Sequence, residues 1–545
     1  MRAADLFVKC LEAEGVRYVF GLPGEEILDL VDALCASEHI RFVTTRHEQG
    51  AAFMADVYGR LTGKAGVCLS TLGPGATNLI TGVADANLDR APLVAITGQA
   101  GLDRTHKESH QYIDIVDHFR AVTKWNVRVQ RASVIPEVVR KAFKLAQAEK
   151  PGACHIELPE DIAEEEAEGL PAPPSPPVLH APEEGVLQEA ARRIAEARRP
   201  IILAGNGVIR TGASPALRAF VETARIPVAT TFMGKGAVSS LSPYSLQAIG
   251  LQMNDYVSVG FDQADLVIAV GYDLAEYAPK LWNPAGDKGI IHIDSTEAEV
   301  DREYCCSLEL VGDMRATLDA LRSRVQARGE TSFHGTLRDI IRQELEEKAS
   351  SDEFPMVPQR ILHDLRGLLG PEDILISDVG AHKMWVARLY RAYEPGTVII
   401  SNGFASMGIA LPGAIAAGLV HPERKVAAVC GDGGFLMNVQ ELETAKRLGV
   451  KFVVLIWTDG SYGLIDWKQR NRFSRAAGVE FGNPDWVKLA ESFGLRGYRP
   501  SDASELLPCL QAAFEGDGPA IVDVAVDYRE NLRLTDRLGS LVCPI

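Results

Sequence analysis

Residues 427–465 read AAVCGDGGFLMNVQELETAKRLGVKFVVLIWTDGSYGLI. The apolar run at 426–429 predicts a buried strand that feeds the turn Gly431-Asp432-Gly433-Gly434. Leu442, Ala445 and Leu448 then recur at helical spacing, and 452–457 predict a second apolar strand. That strand ends in Thr458-Asp459-Gly460-Ser461-Tyr462-Gly463. A strand-helix-strand unit results, with polar residues at the carboxyl ends of both strands, the edge where open α/β sheets bind ligands.

The residue types at that edge suit a metal diphosphate. Asp432 and Asp459, 27 residues apart, supply hard oxygen ligands from adjacent strand ends. Magnesium takes few carboxylates together with phosphate oxygens and water. Glycines let backbone N–H groups approach a phosphate in front of a helix N-terminus. Taken alone, GDGG is equally an ordinary strand-turn-helix with a capping Asp. The GDG turn, Asn438 and the polar strand end together resemble the thiamine diphosphate motif. The family's usual Asn-Asn ending is Thr458-Asp459 here, which resembles the catabolic branch of the acetolactate synthase family. That resemblance implies magnesium held by Asp432, Asp459 and the backbone carbonyl of Ser461. It implies Gly431, Gly433, Gly434, Tyr462, Gly463 and Leu464 as further cofactor-binding residues.

A chain of 545 residues exceeds what one core holds, and three domains are expected. Hydrophobic content of 46% with 24% charged residues is that of a soluble globular protein. A net charge of −17 argues against nucleic acid or an anionic membrane as partner. The nine cysteines are odd in number, scattered and without a CxxC, which fits a reducing cytosol. Cys305-Cys306 is a weak redox candidate. No signal peptide is read, because the first fifteen residues form an amphipathic pattern. The apolar stretch 404–420 is short for a membrane span and holds Pro412. The expectation is therefore a cytoplasmic protein without a membrane segment.

From the start, predicted strands at 17–20, 42–44, 66–70 and 92–97 alternate with helices at 27–36, 51–62 and 79–88, as in a parallel doubly wound sheet. The first strand feeds Gly21-Leu22-Pro23-Gly24, and the third feeds Thr71-Leu72-Gly73-Pro74-Gly75-Ala76-Thr77-Asn78. Glu48, before the second helix, reads from position alone as a helix-capping acid. The runs RHEQGAAFMADVYGR and GPGATNL resemble the pyrimidine-binding domain of thiamine diphosphate enzymes. There the matching Glu protonates the aminopyrimidine ring. The resemblance adds Pro23, Thr71, Gly73 and Asn78 to Glu48 as cofactor-binding residues. The polar loop 99–126 reads unaided as a solvated loop. By family likeness its His110, Gln111 and Lys124 line the substrate channel and handle the pyruvate carboxylate.

A strand at 153–158 closes the first domain, and the Pro-rich run after Leu170 is a stiff linker. A second βα region carries Gly205-Asn206-Gly207, weak evidence for a nucleotide by itself. It resembles the family's central domain, which binds FAD in some members. Here the run from Val270 to Asn283 resembles the GYDxxEYxPxxWN pattern of the branch that lacks FAD, so flavin is expected to be absent.

The third domain starts near Pro358. Its strands at 374–377 and 398–400 end in Asp378-Val379-Gly380-Ala381-His382 and in Ser401-Asn402-Gly403-Phe404-Ala405-Ser406-Met407. By resemblance Gly380, Ala381 and His382 touch the diphosphate end. Gly403, Ser406 and Met407 meet the bent cofactor, with Met407 as the wedge beneath it. Trp467, Lys468 and Gln469 read either as a pocket-lining helix start or as a surface helix. The tail from Tyr528 onward resembles the catabolic branch and is expected to cover the site.

The expected domains are 1–168, 183–327 and 356–530, followed by a tail at 531–545. The implied reaction makes 2-acetolactate and CO2 from two pyruvates on thiamine diphosphate and Mg2+. The implied assembly is a homodimer or homotetramer whose sites are shared between subunits. Alternatives are another thiamine diphosphate-dependent decarboxylase or carboligase such as a sulfoacetaldehyde acetyltransferase, a flavin-dependent pyruvate oxidase, or a non-catalytic homologue.

Overall fold

The computed structural model describes residues 1–175, 178–250, 256–329 and 332–531. The chain forms two compact units. One comprises Met1–Pro177, Gly403–Glu423 and Phe435–Phe452; the other comprises Val178–Asn402, Arg424–Gly434 and Val453–Ile545. The segments 403–423 and 435–452, which the sequence assigns to a domain starting near Pro358, thus pack with the amino-terminal sheet.

That first sheet has six strands: β1 (Tyr18–Gly21), β2 (Arg41–Thr44), β3 (Gly66–Ser70), β4 (Leu93–Gln99), β5 (Trp125–Arg128) and β6 (Ala153–Pro159). Their order is β2-β1-β3-β4-β6-β5, and every pairing is parallel. Strands β3, β4 and β6 are buried throughout, as a sheet covered on both faces requires. The second sheet holds β7 (Pro200–Ala204), β8 (Val228–Thr230), β9 (Ser245–Ala248), β10 (Leu266–Val270), β11 (Gly289–Asp294) and β12 (Leu308–Val311), in the order β12-β11-β10-β7-β8-β9. The third holds β13 (Ile374–Ser377), β14 (Val398–Ile400), β15 (Val426–Gly431), β16 (Val453–Thr458), β17 (Arg496–Tyr498) and β18 (Ala520–Ala525), in the order β14-β13-β15-β16-β18-β17. Both are fully parallel as well. Three doubly wound parallel sheets were the expectation, and three are found.

In each sheet the order reverses beside its first strand: between β1 and β3, between β7 and β10, and between β13 and β15. Chains leaving two adjacent strands in opposite directions open a crevice at their carboxyl ends. Each predicted turn motif falls at one of these three crevices or beside it.

Two helices begin earlier than the apolar spacing indicates. Helix α1 runs Glu48–Thr62, not 51–62, because the His47 ring caps it by accepting the Gln49 N–H at 3.1 Å. Helix α2 runs Pro74–Leu88, not 79–88. Pro74 supplies a helical φ at its first position, after Gly73 turns the chain at φ +53°. Helix α3 (Ile135–Gln147) lies between β5 and β6 in sequence. Helix α4 (Ala381–Leu389) follows β13, and α5 (Ala410–Val420) follows β14. After β15 the predicted GDGG turn closes into a single helical turn, Asp432–Phe435, and α6 (Glu441–Leu448) and β16 follow. Helix α7 (Gly463–Phe473) leaves β16. The tail assigned to cover the site lies, from residue 532 on, outside the described residues. Among the described residues no helix is long and apolar enough to cross a membrane.

Candidate active site

In the amino-terminal unit, Glu48 opens α1 and is 6% exposed. The Asn78 amide on α2 donates to its Oε2 at 3.0 Å. One face of the acid is thereby oriented, and its second oxygen lies beside the start of α2, where a Cβ on Gly75 would sit 3.4 Å from Oε1. Thr71 donates to Glu26 at 2.8 Å, and a Cβ on Gly24 would sit 2.4 Å from the Thr71 Cβ. The two turns at the β1/β3 crevice therefore touch, and Pro23 stands exposed at its rim. Gly73 is irreplaceable in shape as well as in φ, because a Cβ there would meet the Gln111 carbonyl oxygen at 2.6 Å. That approach brings the 105–112 loop to α2 and leaves the His110 and Gln111 side chains exposed.

Lys124 stands just before β5. Its ammonium donates to the carbonyls of Leu145, Ala148 and Lys150 at 2.7, 2.9 and 2.7 Å. Those carbonyls are at and just past the end of α3, so Lys124 is a cation at a helix carboxyl terminus. Lys124→Met is expected to lower folding stability by about 1–2 kcal/mol, read by denaturant unfolding, while Glu48 and its partners stay in place.

The same unit holds the loop with Gly403, Ser406 and Met407. Asp89 accepts the N–H groups of Gly403 (2.5 Å) and Phe404 (3.2 Å), and Asp85 accepts that of Ser406 at 3.2 Å. Both carboxylates also meet the buried Arg60, at 3.0 and 2.8 Å, and Arg60 chelates Asp56 as well. Burial, with Asp89 and Asp56 alongside, pushes the Asp85 carboxyl well up. Met407 is half-buried, and the next carbonyl, of Gly408, accepts the Asn438 amide at 2.8 Å.

In the other unit, β15 and β16 pair with Gly431 opposite Trp457, so Asp432 and Asp459 leave neighbouring strand ends. Asp432 is 1% exposed. Its Oδ2 accepts the N–H groups of Gly460 and Asp459 at 2.8 and 3.2 Å and the Asn483 amide at 2.8 Å. Asp459 opens toward solvent, yet desolvation by the surrounding turn, reinforced by Asp432, pushes its carboxyl up to about 7. Ser461 Oγ, Asn483 Oδ1 and His382 Nε2 are buried without a hydrogen-bond partner. Such buried orphans call for an explanation, an ion or ligand among them. Burial holds His382 neutral, its imidazole pushed down to about 3.

The glycines form a cradle that side chains would fill. A Cβ at Gly433 would lie 2.7 Å from the Tyr462 ring, at Gly434 3.1 Å from Asp378 and at Gly463 2.9 Å from Asp459. At Gly431 and Gly380 it would press on the His382 ring, at 3.2 and 2.7 Å. Ala381 opens α4 between those two contacts, and Leu464 is half-buried at the start of α7. Trp467 points into the protein and Lys468 into solvent, so that helix start is amphipathic. Among the described residues no group of three or more His, Cys, Asp or Glu side chains gathers as a metal cage. Two carboxylates and a backbone carbonyl, completed by oxygen ligands from outside, are instead the donor set that suits Mg2+ with a diphosphate. The residues present fit that pair.

The crevice of the second sheet is closed by the chain itself. Cβ atoms on Gly205 and Gly207 would sit 2.3 and 2.7 Å from the Gly271 backbone. The Glu276 carboxylate accepts the Asn206 N–H at 3.0 and 3.1 Å and the Thr231 hydroxyl. Burial pushes Glu276 up to about 7.

Sequence reasoning missed Asn483, which lies far from Asp432 along the chain, and Arg60 with its three carboxylates. The Asp56–Arg60 spacing on α1 was the one visible signal, since residues four apart on a helix face each other.

Comparison with known proteins follows this geometry. The description "Thiamine pyrophosphate enzyme, N-terminal TPP binding domain" matches residues 1–118, the central domain of the same enzymes matches 187–321, and their C-terminal TPP binding domain matches 378–524. The chain is 40% identical to "Acetolactate synthase, catabolic" of Raoultella terrigena, over 98% of this chain and 97% of that protein. It is 38% identical to "Acetolactate synthase" of Bacillus subtilis (strain 168), over 98% and 95%. It is 33% identical to "Acetolactate synthase isozyme 2 large subunit" of Escherichia coli (strain K12), over 98% and 97%.

Proposed function

We propose that this chain, which belongs to the thiamine pyrophosphate enzymes and among them to the acetolactate synthase family, decarboxylates one pyruvate and joins the remaining two-carbon unit to a second. The products are 2-acetolactate and CO2. The observation that carries this reading is the pairing of Asp432 and Asp459 at adjacent strand ends above a glycine cradle.

Asp432, Asp459 and the Ser461 carbonyl would hold Mg2+. Gly380, Ala381, His382, Gly431, Gly433, Gly434, Tyr462, Gly463 and Leu464 would hold the diphosphate. Bound there, thiamine diphosphate supplies an electron sink for the carbon that loses CO2. Glu48, set by Asn78, holds the proton that it shares with a nitrogen of the aminopyrimidine ring. Pro23, Thr71 and Gly73 would shape the turns that hold that ring, and Gly403, Ser406 and Met407 would support the cofactor. His110 and Gln111 meet the substrate carboxylate. Closure against water favours the second pyruvate over a proton as the electrophile. In this reading 1–168, 183–327 and 356–530 are the working domains. Each site takes Glu48 from one subunit and Asp432 from another, in a homodimer or homotetramer. A cytoplasmic setting belongs to the same reading, supported by eight unpaired cysteines among the described residues.

Flavin has no place in this reading, which is supported by Glu276 taking the Asn206 N–H in the turn after β7. The purified protein is expected to show no flavin absorbance, and FAD added to the assay should leave turnover unchanged. A flavin-dependent gain would favour an oxidase.

The function is tested by incubating the protein with thiamine diphosphate, Mg2+ and pyruvate and quantifying acetolactate and acetaldehyde separately. Predominant acetolactate supports the carboligase. Predominant acetaldehyde makes the chain a decarboxylase.

A further inference from the structure

Glu441 opens α6 and is 0% exposed, yet nothing in the proposed chemistry uses it. Its Oε1 accepts the N–H groups of Arg46 and His47, both at 3.0 Å. Its Oε2 accepts the Arg46 N–H at 3.3 Å and the Thr444 hydroxyl at 2.6 Å. Those two N–H groups belong to the residues immediately before Glu48. Gly50 permits the approach, since a Cβ there would lie 2.7 Å from Oε1.

We propose that Glu441 is a positioning residue for Glu48, fixing the backbone from which the acid's side chain departs. The inference rests on the reading of Glu48 given above. A buried carboxylate is costly unless hydrogen-bonded, and an apolar residue would fill this space at no such cost. What the carboxylate adds is charge-assisted bonds to two consecutive backbone donors at the positive end of α1. The same turn reaches the other half of the chemistry. The Glu441 N–H donates to the Asn438 carbonyl at 3.0 Å, and the Asn438 amide holds the Gly408 carbonyl next to Met407. One short turn thus fixes the backbone on the entry side of Glu48 and on the exit side of Met407.

The test uses the full chain and three variants. Glu441→Ala removes the acceptor. Gly50→Ala displaces it while leaving Glu441 in the sequence, and it serves if Glu441→Ala does not fold. Glu441→Gln is the conservative rescue, because its carbonyl can take the place of Oε1 and its amide can donate to Thr444. Two quantities are read: backbone amide exchange at Arg46 and His47 in the cofactor-free protein, and exchange of the C2 proton of bound thiamine diphosphate. In Glu441→Ala and Gly50→Ala, amide protection is expected to be lost and C2 exchange to slow about tenfold or more, as misplacement of a catalytic group by an ångström does. Cofactor affinity should hold, and Glu441→Gln should recover most of both readouts. Unchanged amide protection overturns the proposal. So does lost protection with C2 exchange at the wild-type rate, provided that Glu48→Gln slows that exchange. If Glu48→Gln leaves it unchanged, the reading of Glu48 falls and the positioning role falls with it.

Discussion

Glu48→Gln is expected to lower turnover of pyruvate by about 10²- to 10⁴-fold and to leave the affinity for thiamine diphosphate nearly intact. The substitution is close to isosteric and keeps an oxygen for the Asn78 amide. What it removes is the proton that a carboxylic acid can share with a ring nitrogen. The buried setting makes the loss large, because little solvent reaches the site to replace that proton. Steady-state kinetics at saturating cofactor, with a calorimetric titration of the cofactor, separates the two effects. Equal losses in affinity and turnover would show that Glu48 only shapes the pocket.

The second large effect is expected at Asp432. Asp432→Ala removes the acceptor for four donors, from Gly433, Asp459, Gly460 and Asn483. Leaving a buried donor unsatisfied costs about 1–3 kcal/mol, so the turn between β16 and α7 should loosen. Mg2+-supported binding of thiamine diphosphate is expected to weaken by more than about 100-fold, exceeding the loss typical of an outer-shell change. Asp432→Asn keeps an acceptor for the turn and removes the charge. It should restore thermal stability toward wild type and still bind the cofactor poorly. Calorimetric titration with thiamine diphosphate at saturating Mg2+, beside thermal unfolding of both variants, checks this. Cofactor affinity restored in Asp432→Asn would mean that the turn, not the metal, is what Asp432 serves.

The strands were legible in the sequence because parallel strands buried on both faces read as short apolar runs. Ile374–Ser377, Val398–Ile400 and Gly66–Ser70 fall where the runs place them. Helix starts were less legible. The beginning of α1 depends on a ring nitrogen of His47 capping Gln49, and that of α2 on Pro74 after a strained Gly73. Neither cap is part of an apolar period. Glu48 and Asp432 sit in recognisable turns, although Asn78 and Asn483 lie 30 and 51 residues from them. The acids whose partners lie hundreds of residues away do not. Glu441 reads as the solvated face of an amphipathic helix until Arg46 and His47 are seen against it. Asp89 likewise takes the Gly403 N–H from 314 residues away. Lys124 reads unaided as part of a solvated polar loop, and only the fold reveals the end of α3 beneath its ammonium. Glu276 belongs to the run that resembles the branch without FAD, and only the fold reveals its carboxylate accepting the Asn206 N–H.

The most direct test of the central claim is the carbon NMR spectrum of the reaction with [2-13C]pyruvate, thiamine diphosphate and Mg2+. Carboligation joins two former keto carbons. The account predicts a new pair of mutually coupled 13C doublets, from the ketone and the carbinol carbon of 2-acetolactate, growing as CO2 is released and absent without the cofactor. Uncoupled labelled acetaldehyde or acetate as the main product would contradict it.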